Sequence, residues 1–276
     1  MSGSLTIIWD YDGPIGQVNA TYPYKFDEQK IIQEIENVDL ILSLCEKYNV
    51  KMVFACTGFS AEEGHFPYHI QNQIQQIFHL GHEIASHSWK HEWFPYLERE
   101  QIVRSLTRSK YALETCIGKE GSVVGFVPPF SRPMSWYARG AVSQGDRTFG
   151  YGFPGSNIGS LIKIISGTGY KWCRINYYPL LKKIFSRSAK VNLNKSWEVI
   201  RGVTCFPCHH FGFDSKAIDL LDRLSKTGGK LVISAHPSGL SRTKEENVNL
   251  LINFLDKVAE LRKANTIEIK TINQLT

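Results

Sequence analysis

Two aspartates and three histidines carry most of the chemistry this sequence could perform. His87 and His91 stand four apart in HEIASHSWKH (82–91). On a helix or helical turn such a pair points one way, so the two imidazoles can converge on one cation. The spacing is equally compatible with two histidines hydrogen-bonded near the surface. Asp10 and Asp12 in WDYDGP are two apart; on a continuing strand they emerge on one side, one able to bind a cation and the other free as a base. An Asp with two His is a set of three ligands for a zinc-like ion that keeps positions for water and substrate. Such an ion lowers the pKa of its water to about 7 and polarises a carbonyl. His236 in SAHPSG would protonate a departing amine or alkoxide. Taken singly, Asp12 before Gly13 and Pro14 is also a turn residue, and His236 before Pro237 a core histidine. Taken together they predict metal-assisted hydrolysis of an amide or ester.

The elements that must position them alternate along the chain. LTIIWDY (5–11), KMVFACT (51–57), HEIAS (82–86), SVVGFVPP (122–129), KLVISAH (230–236) and NTIEIKT (265–271) read as strands. Between them lie helical patterns over 26–49, 67–81, 97–118, from about Ser135, over 214–229 and from a Thr243/Glu246 capping box to Lys263. Gly81, Gly118 and the Gly228–Gly229 pair are placed as stops. The stretch 146–213 is rich in Gly, Pro and aromatics; it predicts strands at KWCRIN and SWEVIRGV, one helix over 157–166, and loops. Strand–helix alternation implies a parallel sheet, either a barrel or an open doubly wound sheet, in a single domain spanning 1–276. In such folds the site forms at the C-terminal strand ends. Asp10, Asp12, His87, His91 and His236 all fall there.

Hydrophobic residues make up 42% and charged residues 21% of 276 residues, with no apolar run near the ~20 needed to span a bilayer, which excludes a helical membrane protein. The start, MSGSLTIIWDYDG, lacks the layout of a cleaved signal peptide, so the expected compartment is the cytoplasm. Six cysteines in such a chain are expected as buried thiols. A net charge of +6 suits an acidic partner such as a nucleotide-sugar, a lipid phosphate or a membrane surface. The basic, aromatic segment 171–190 is read as an amphipathic helix with a solvated face, or an interfacial one giving peripheral membrane contact.

In their order, WDYDGP, GHEIASHSWKH, GFVPPF and ISAHPSG resemble the motifs of the polysaccharide deacetylase family, the NodB-homology group of carbohydrate esterases. GHEIASHSWKH is the specific part, close to the family's GHEIGSHTxxH. The resemblance implies a distorted (β/α) barrel. It also implies a divalent metal, Zn2+ or else Co2+, Mn2+ or Fe2+, on Asp12, His87 and His91, with Asp10 as base and His236 as acid. An oxyanion donor is implied in the backbone near Pro129 and Phe130. The first motif departs from the family's TFDDG, because Tyr11 separates the aspartates; this is similar to a DxD branch that includes allantoinase-like members, some of them metal-free. Val127 stands where the family has an arginine that orients the base; Arg132, five residues on, is either its substitute or an ordinary surface arginine.

CFPCHHF (205–211) contains CxxCH, a haem-attachment pattern that requires export, or a zinc site on Cys205, Cys208 and a histidine. Ahead of both stand a cleft-lining loop in which His209 or His210 touches substrate and an ordinary loop with buried thiols and one exposed histidine. Trp89 or Trp136 would stack on a sugar face, or else serve core packing. The expected function is removal of an acyl group, first of all N-acetyl, from a nucleotide- or lipid-linked sugar or an oligosaccharide during cell-surface polysaccharide synthesis, with no nucleic acid involved. The alternatives are a metal-independent carbon–nitrogen hydrolase of a cyclic amide or ureide, and an inactive carbohydrate-binding homologue.

Overall fold

The computed structural model describes residues 2–20, 26–94, 97–129, 158–175, 191–241 and 244–276. Strand β1 (Gly3–Tyr11) is buried along almost its whole length, as a central parallel strand covered on both faces must be. Its side chains divide by alternation. Leu5, Ile7, Trp9 and Tyr11 enter the core beneath the helices, whereas Ile8 packs with Val53, Ala55, Ala85, Val127 and Trp172 in a second, smaller cluster on the concave side. Asp10, two residues beyond Ile8, continues the concave row.

On one side of β1 follow β2 (Val53–Cys56), β3 (Glu83–Ser86), β4 (Gly125–Phe126) and β5 (Trp172–Arg174), then β7 (Val203–Phe206) with β6 (Glu198–Ile200) at the edge. On the other lie β9 (Lys230–Ala235) and β8 (His210–Phe211). β10 (Ile267–Ile269) pairs with Gly3–Leu5, and β2 pairs with β1 from Ile8 onward. All of these pairings are parallel except β6 with β7. The sheet curls into an open half barrel, the distorted (β/α) barrel expected from the sequence.

Among the described residues seven helices cover it: α1 (Gly13–Asn19), α2 (Glu28–Lys47), α3 (Gln71–His79), α4 (Arg99–Ile117), α5 (Ile158–Gly167), α6 (Ser215–Thr227) and α7 (Lys244–Lys263). Local chemistry sets their ends. Asp27 and Asp214 accept from amides in the first turns of α2 and α6. Glu98 and Gln101 form a capping box on α4, which Gly118 ends at φ 65°. The expected stop at Gly81 also has a positive φ, 81°. Among the described residues no helix is long and apolar enough to cross a membrane.

Two sequence expectations change. SWEVIRGV is not one strand: Arg201 and Gly202, at φ 53° and 76°, fold it into the β6–β7 hairpin. The segment 171–190 begins as strand β5 rather than as a helix, and its residues 176–190 lie outside the described part. The helix expected from Ser135 and the cap at Thr243 also lie outside it. Beneath the site, Trp172 is fully buried and donates from Nε1 to Glu83 Oε1 and Asn273 Oδ1, at 3.0 and 3.1 Å. Gly125 makes room for it, because a Cβ there would overlap the indole.

Candidate metal centre and active site

At the C-terminal end of β1, Asp12 precedes α1 and turns its carboxylate toward the loop after β3. Asp12 Oδ1 lies 3.2 Å from His87 Nε2 and 3.4 Å from His91 Nε2. All three side chains are buried, and they are the only cluster of this kind among the described residues. His87 Nδ1 donates to the Val127 carbonyl at 2.7 Å, so the lone pair sits on Nε2, facing Asp12. Among the described residues neither His87 Nε2 nor Asp12 Oδ1 has a hydrogen-bond partner. Buried acceptors aimed at one another repel unless a cation lies between them. The distances fit one: ligand atoms about 2.0–2.1 Å from a tetrahedral Zn2+ stand roughly 3.3–3.4 Å apart. Burial, outweighing the attraction of Asp12, lowers the pKa of His91 to about 4, so the ring is neutral as a ligand must be. Burial would raise the Asp12 carboxyl, but the positive charge that His91 takes up in acid outweighs this and holds it below the usual carboxylate range.

The histidines do not share a helical face as their spacing suggested. They bound a turn in which Ser88 and His91 take φ 66° and 57°. The loop after β2 supports it, with Gly58 and Phe59 amides donating to the Ser88 and Trp89 carbonyls at 3.0 and 2.8 Å. Across the site, α1 passes so close that a Cβ on Gly16 would stand 2.7 Å from Cβ of Asp12 and 3.3 Å from that of His91.

Asp10 has no exposed surface, and Arg174 on β5 grips it with two parallel bonds, Nη1 to Oδ1 at 2.5 Å and Nη2 to Oδ2 at 2.6 Å. Nη1 also donates to Ser234 Oγ at 2.7 Å. Burial alone would raise the Asp10 carboxyl; the guanidinium outweighs it and keeps the group ionised below the usual range. Arg132, the expected partner of Asp10, lies outside the described residues together with Phe130 and Trp136. The arginine that holds the carboxylate comes instead from β5, where the only sequence signal was one basic residue ending a short apolar strand.

His236 follows β9 with Nε2 3.8 Å from Asp10 Oδ2 and its side chain one-third exposed. Phe211 on β8 lies parallel to it, ring centroids 6.0 Å apart, and is itself partly exposed. Sequence reasoning chose its neighbour His210 instead, but that imidazole is bonded to Asp214 Oδ1, the cap of α6, at 2.7 Å. Trp89 is not a bare platform: Arg108 stacks 3.7 Å from its ring, Lys90 sits at 4.2 Å, and Nε1 donates to Glu62. Pro129 is buried and has no N–H, so a backbone donor on this stretch would fall to Phe130. Five of the six cysteines are buried, as expected, and none of the six is in a disulfide. Cys205 and Cys208 belong to no ligand cluster among the described residues; His209 Nδ1 accepts from the Val232 amide at 2.9 Å.

Residues 24–146, which include His87 and His91, match the family model for polysaccharide deacetylase. This segment is similar to the polysaccharide deacetylase family. No curated protein sequence matches the chain. Among solved structures, a putative polysaccharide deacetylase from Mycobacterium smegmatis is similar at 17% identity and TM-score 0.68, over 99% of this chain and 88% of that one. Puue allantoinase is similar at 12% identity and TM-score 0.63, over 97% and 87% of the two chains. A pseudoenzyme of carbohydrate esterase family 4, BA3943 from Bacillus anthracis, is similar at 14% identity and TM-score 0.52, over 99% and 65%. At these identities the likeness is one of fold, so function must be argued from the site.

Proposed function

We propose that this deacetylase-family protein is a hydrolase that removes an acyl group, first of all N-acetyl, from a sugar, and that residues 1–276 act as one catalytic domain. One observation carries the metal assignment: the Asp12 and His87 acceptors, buried without hydrogen bonds, converge with His91 at the edge lengths of a tetrahedral site. Two imidazoles and a carboxylate are a donor set for Zn2+, and also for Fe2+. When bound, the ion supplies a Lewis acid for the acyl oxygen and an acidified water.

The protein's own groups do the proton work. Asp10, kept ionised and fixed in orientation by Arg174, receives the proton of the attacking water. His236, exposed toward the cleft beside Asp10, delivers a proton to the departing amine. Phe211 forms the wall against His236, where an acyl methyl or a sugar face can pack. The ion pair supports catalysis rather than sugar binding alone, since a buried base gripped at both oxygens is a costly feature for a lectin-like protein to keep.

The test is elemental analysis of the wild type and His87→Ala, alongside acetate release from N-acetylglucosamine oligosaccharides. About one equivalent of divalent metal, lost together with acetate release in the variant, is the expected result. Activity retained by metal-free His87→Ala would end the mechanism. Turnover of a cyclic ureide after exhaustive chelation, with none on acetylated sugars, would assign the allantoinase-like chemistry that the spaced aspartates also allow.

A further inference from the structure

The turn that brings His87 and His91 together is built on side chains. Ser88 and Lys90 amides donate to Ser86 Oγ and Glu92 Oε2, at 3.3 and 2.8 Å, rather than to backbone carbonyls. One atom is the hub. Glu92 Oε2 accepts from Ser88 Oγ at 2.7 Å, from the Lys90 amide at 2.8 Å and from Ser105 Oγ on α4 at 3.1 Å. In return the Glu92 amide donates to Ser88 Oγ at 3.2 Å. A left-handed backbone at Ser88 and again at His91 is disfavoured for side-chain-bearing residues, so something must hold it. A carboxylate collecting three donors from both sides of the turn and from a helix is the group placed to do so.

We propose that Glu92 is a positioning residue for the metal centre: without touching the ion, it folds His87-x-x-x-His91 into a converging pair and thereby sets metal affinity. The inference rests on the metal reading above but is tested apart from catalysis. Chelator-treated full-length wild type, Glu92→Gln and Glu92→Ala are titrated with Zn2+ against a chromophoric competitor, and the urea midpoint of each is recorded. Glu92→Ala should bind Zn2+ about 10–100-fold more weakly, the usual effect of losing support behind a ligand. Glu92→Gln, which keeps an acceptor oxygen in place, should recover most of that loss. A role in stability alone predicts a lower urea midpoint with Zn2+ affinity within two-fold of wild type, and that result overturns the proposal. If Glu92→Ala does not fold, Glu92→Asp, one methylene shorter, takes its place with the same expected and overturning results. If wild type binds no Zn2+, the metal reading fails by itself. Amide exchange then decides for Glu92: faster at Lys90 in Glu92→Ala supports its hold on the turn, and unchanged exchange overturns it.

Discussion

Replacing Arg174 by Met tests the centre of the catalytic reading. Asp10 is 0% exposed and Arg174 5%, and the guanidinium reaches both carboxylate oxygens at 2.5 and 2.6 Å. Removing one partner of so enclosed a pair strands a buried charge, at a cost of about 3–5 kcal/mol. For a domain with roughly 5–15 kcal/mol of stability that is a large fraction. The pH dependence carries the sharper signature. In the wild type the folded-state pKa of Asp10 is lowered, so its contribution to stability is present above the unfolded value, about 3.9, and is lost as pH falls through the folded value. Without Arg174, burial dominates and the folded pKa rises above the unfolded one. Stability from this group then declines as pH rises from about 4, by up to about 1.4 kcal/mol per pH unit, until the folded pKa is passed. Urea unfolding between pH 4.5 and 7.5 should therefore show Arg174→Met least impaired at the acid end. Asp10→Asn combined with Arg174→Met should recover much of the loss at pH 7, because no charge remains buried. A single variant within about 1 kcal/mol of wild type at pH 7, with an unchanged pH slope, would refute the claim that this pair holds Asp10 ionised.

Two further outcomes follow from the geometry. Gly125→Ala should destabilise the protein by about 1–3 kcal/mol in urea unfolding, since the new methyl meets the fully buried Trp172 ring and neither strand β4 nor β5 can easily give way. With the pKa of His91 at about 4, protons compete with a metal for that ring only as pH falls toward 4, not near the ordinary histidine value of about 6.5. Dialysis at stepped pH with elemental analysis should find the ion retained at pH 5.5; release already complete at pH 6 would contradict His91 as a buried neutral ligand.

Much of the scaffold was legible because period and punctuation agreed. α4 and α6 each combine an apolar pattern with a glycine stop, and they, like β1, α2 and β9, formed within a few residues of their readings. The β6–β7 turn was missed because Arg-Gly is a weak signal for two consecutive positive φ angles. Asp10, Asp12, His87, His91 and His236 were legible as strand-end residues, although the pairing of the histidines was reached by the wrong route. Nothing in HSWKH announces that Ser88 and His91 are left-handed, since the support comes from Glu92, from Ser105 on another helix and from the β2 loop. His210 and Phe211 differ by one position, and in a two-residue strand no alternation exists to say which one faces the cleft.

The arginine shows why a motif can look broken while the geometry is whole. Gly125 pairs with Trp172 and Phe126 with Cys173, so one step further along the two strands Val127 and Arg174 stand side by side. Adjacent parallel strands in register point the same way at the same level, and the concave face of this half barrel brings both positions toward Asp10. A base-orienting guanidinium can therefore be supplied from either strand with little change in its reach. With valine at 127, the space on β4 is apolar: Val127 packs in the concave cluster, while its carbonyl fixes the tautomer of His87. The sheet register thus sets Arg174 beside position 127, where the resemblance implied an arginine. That adjacency is why the Asp10→Asn and Arg174→Met double variant is more informative than introducing an arginine at 127, which would place a second cation against a carboxylate whose two oxygens are already bonded.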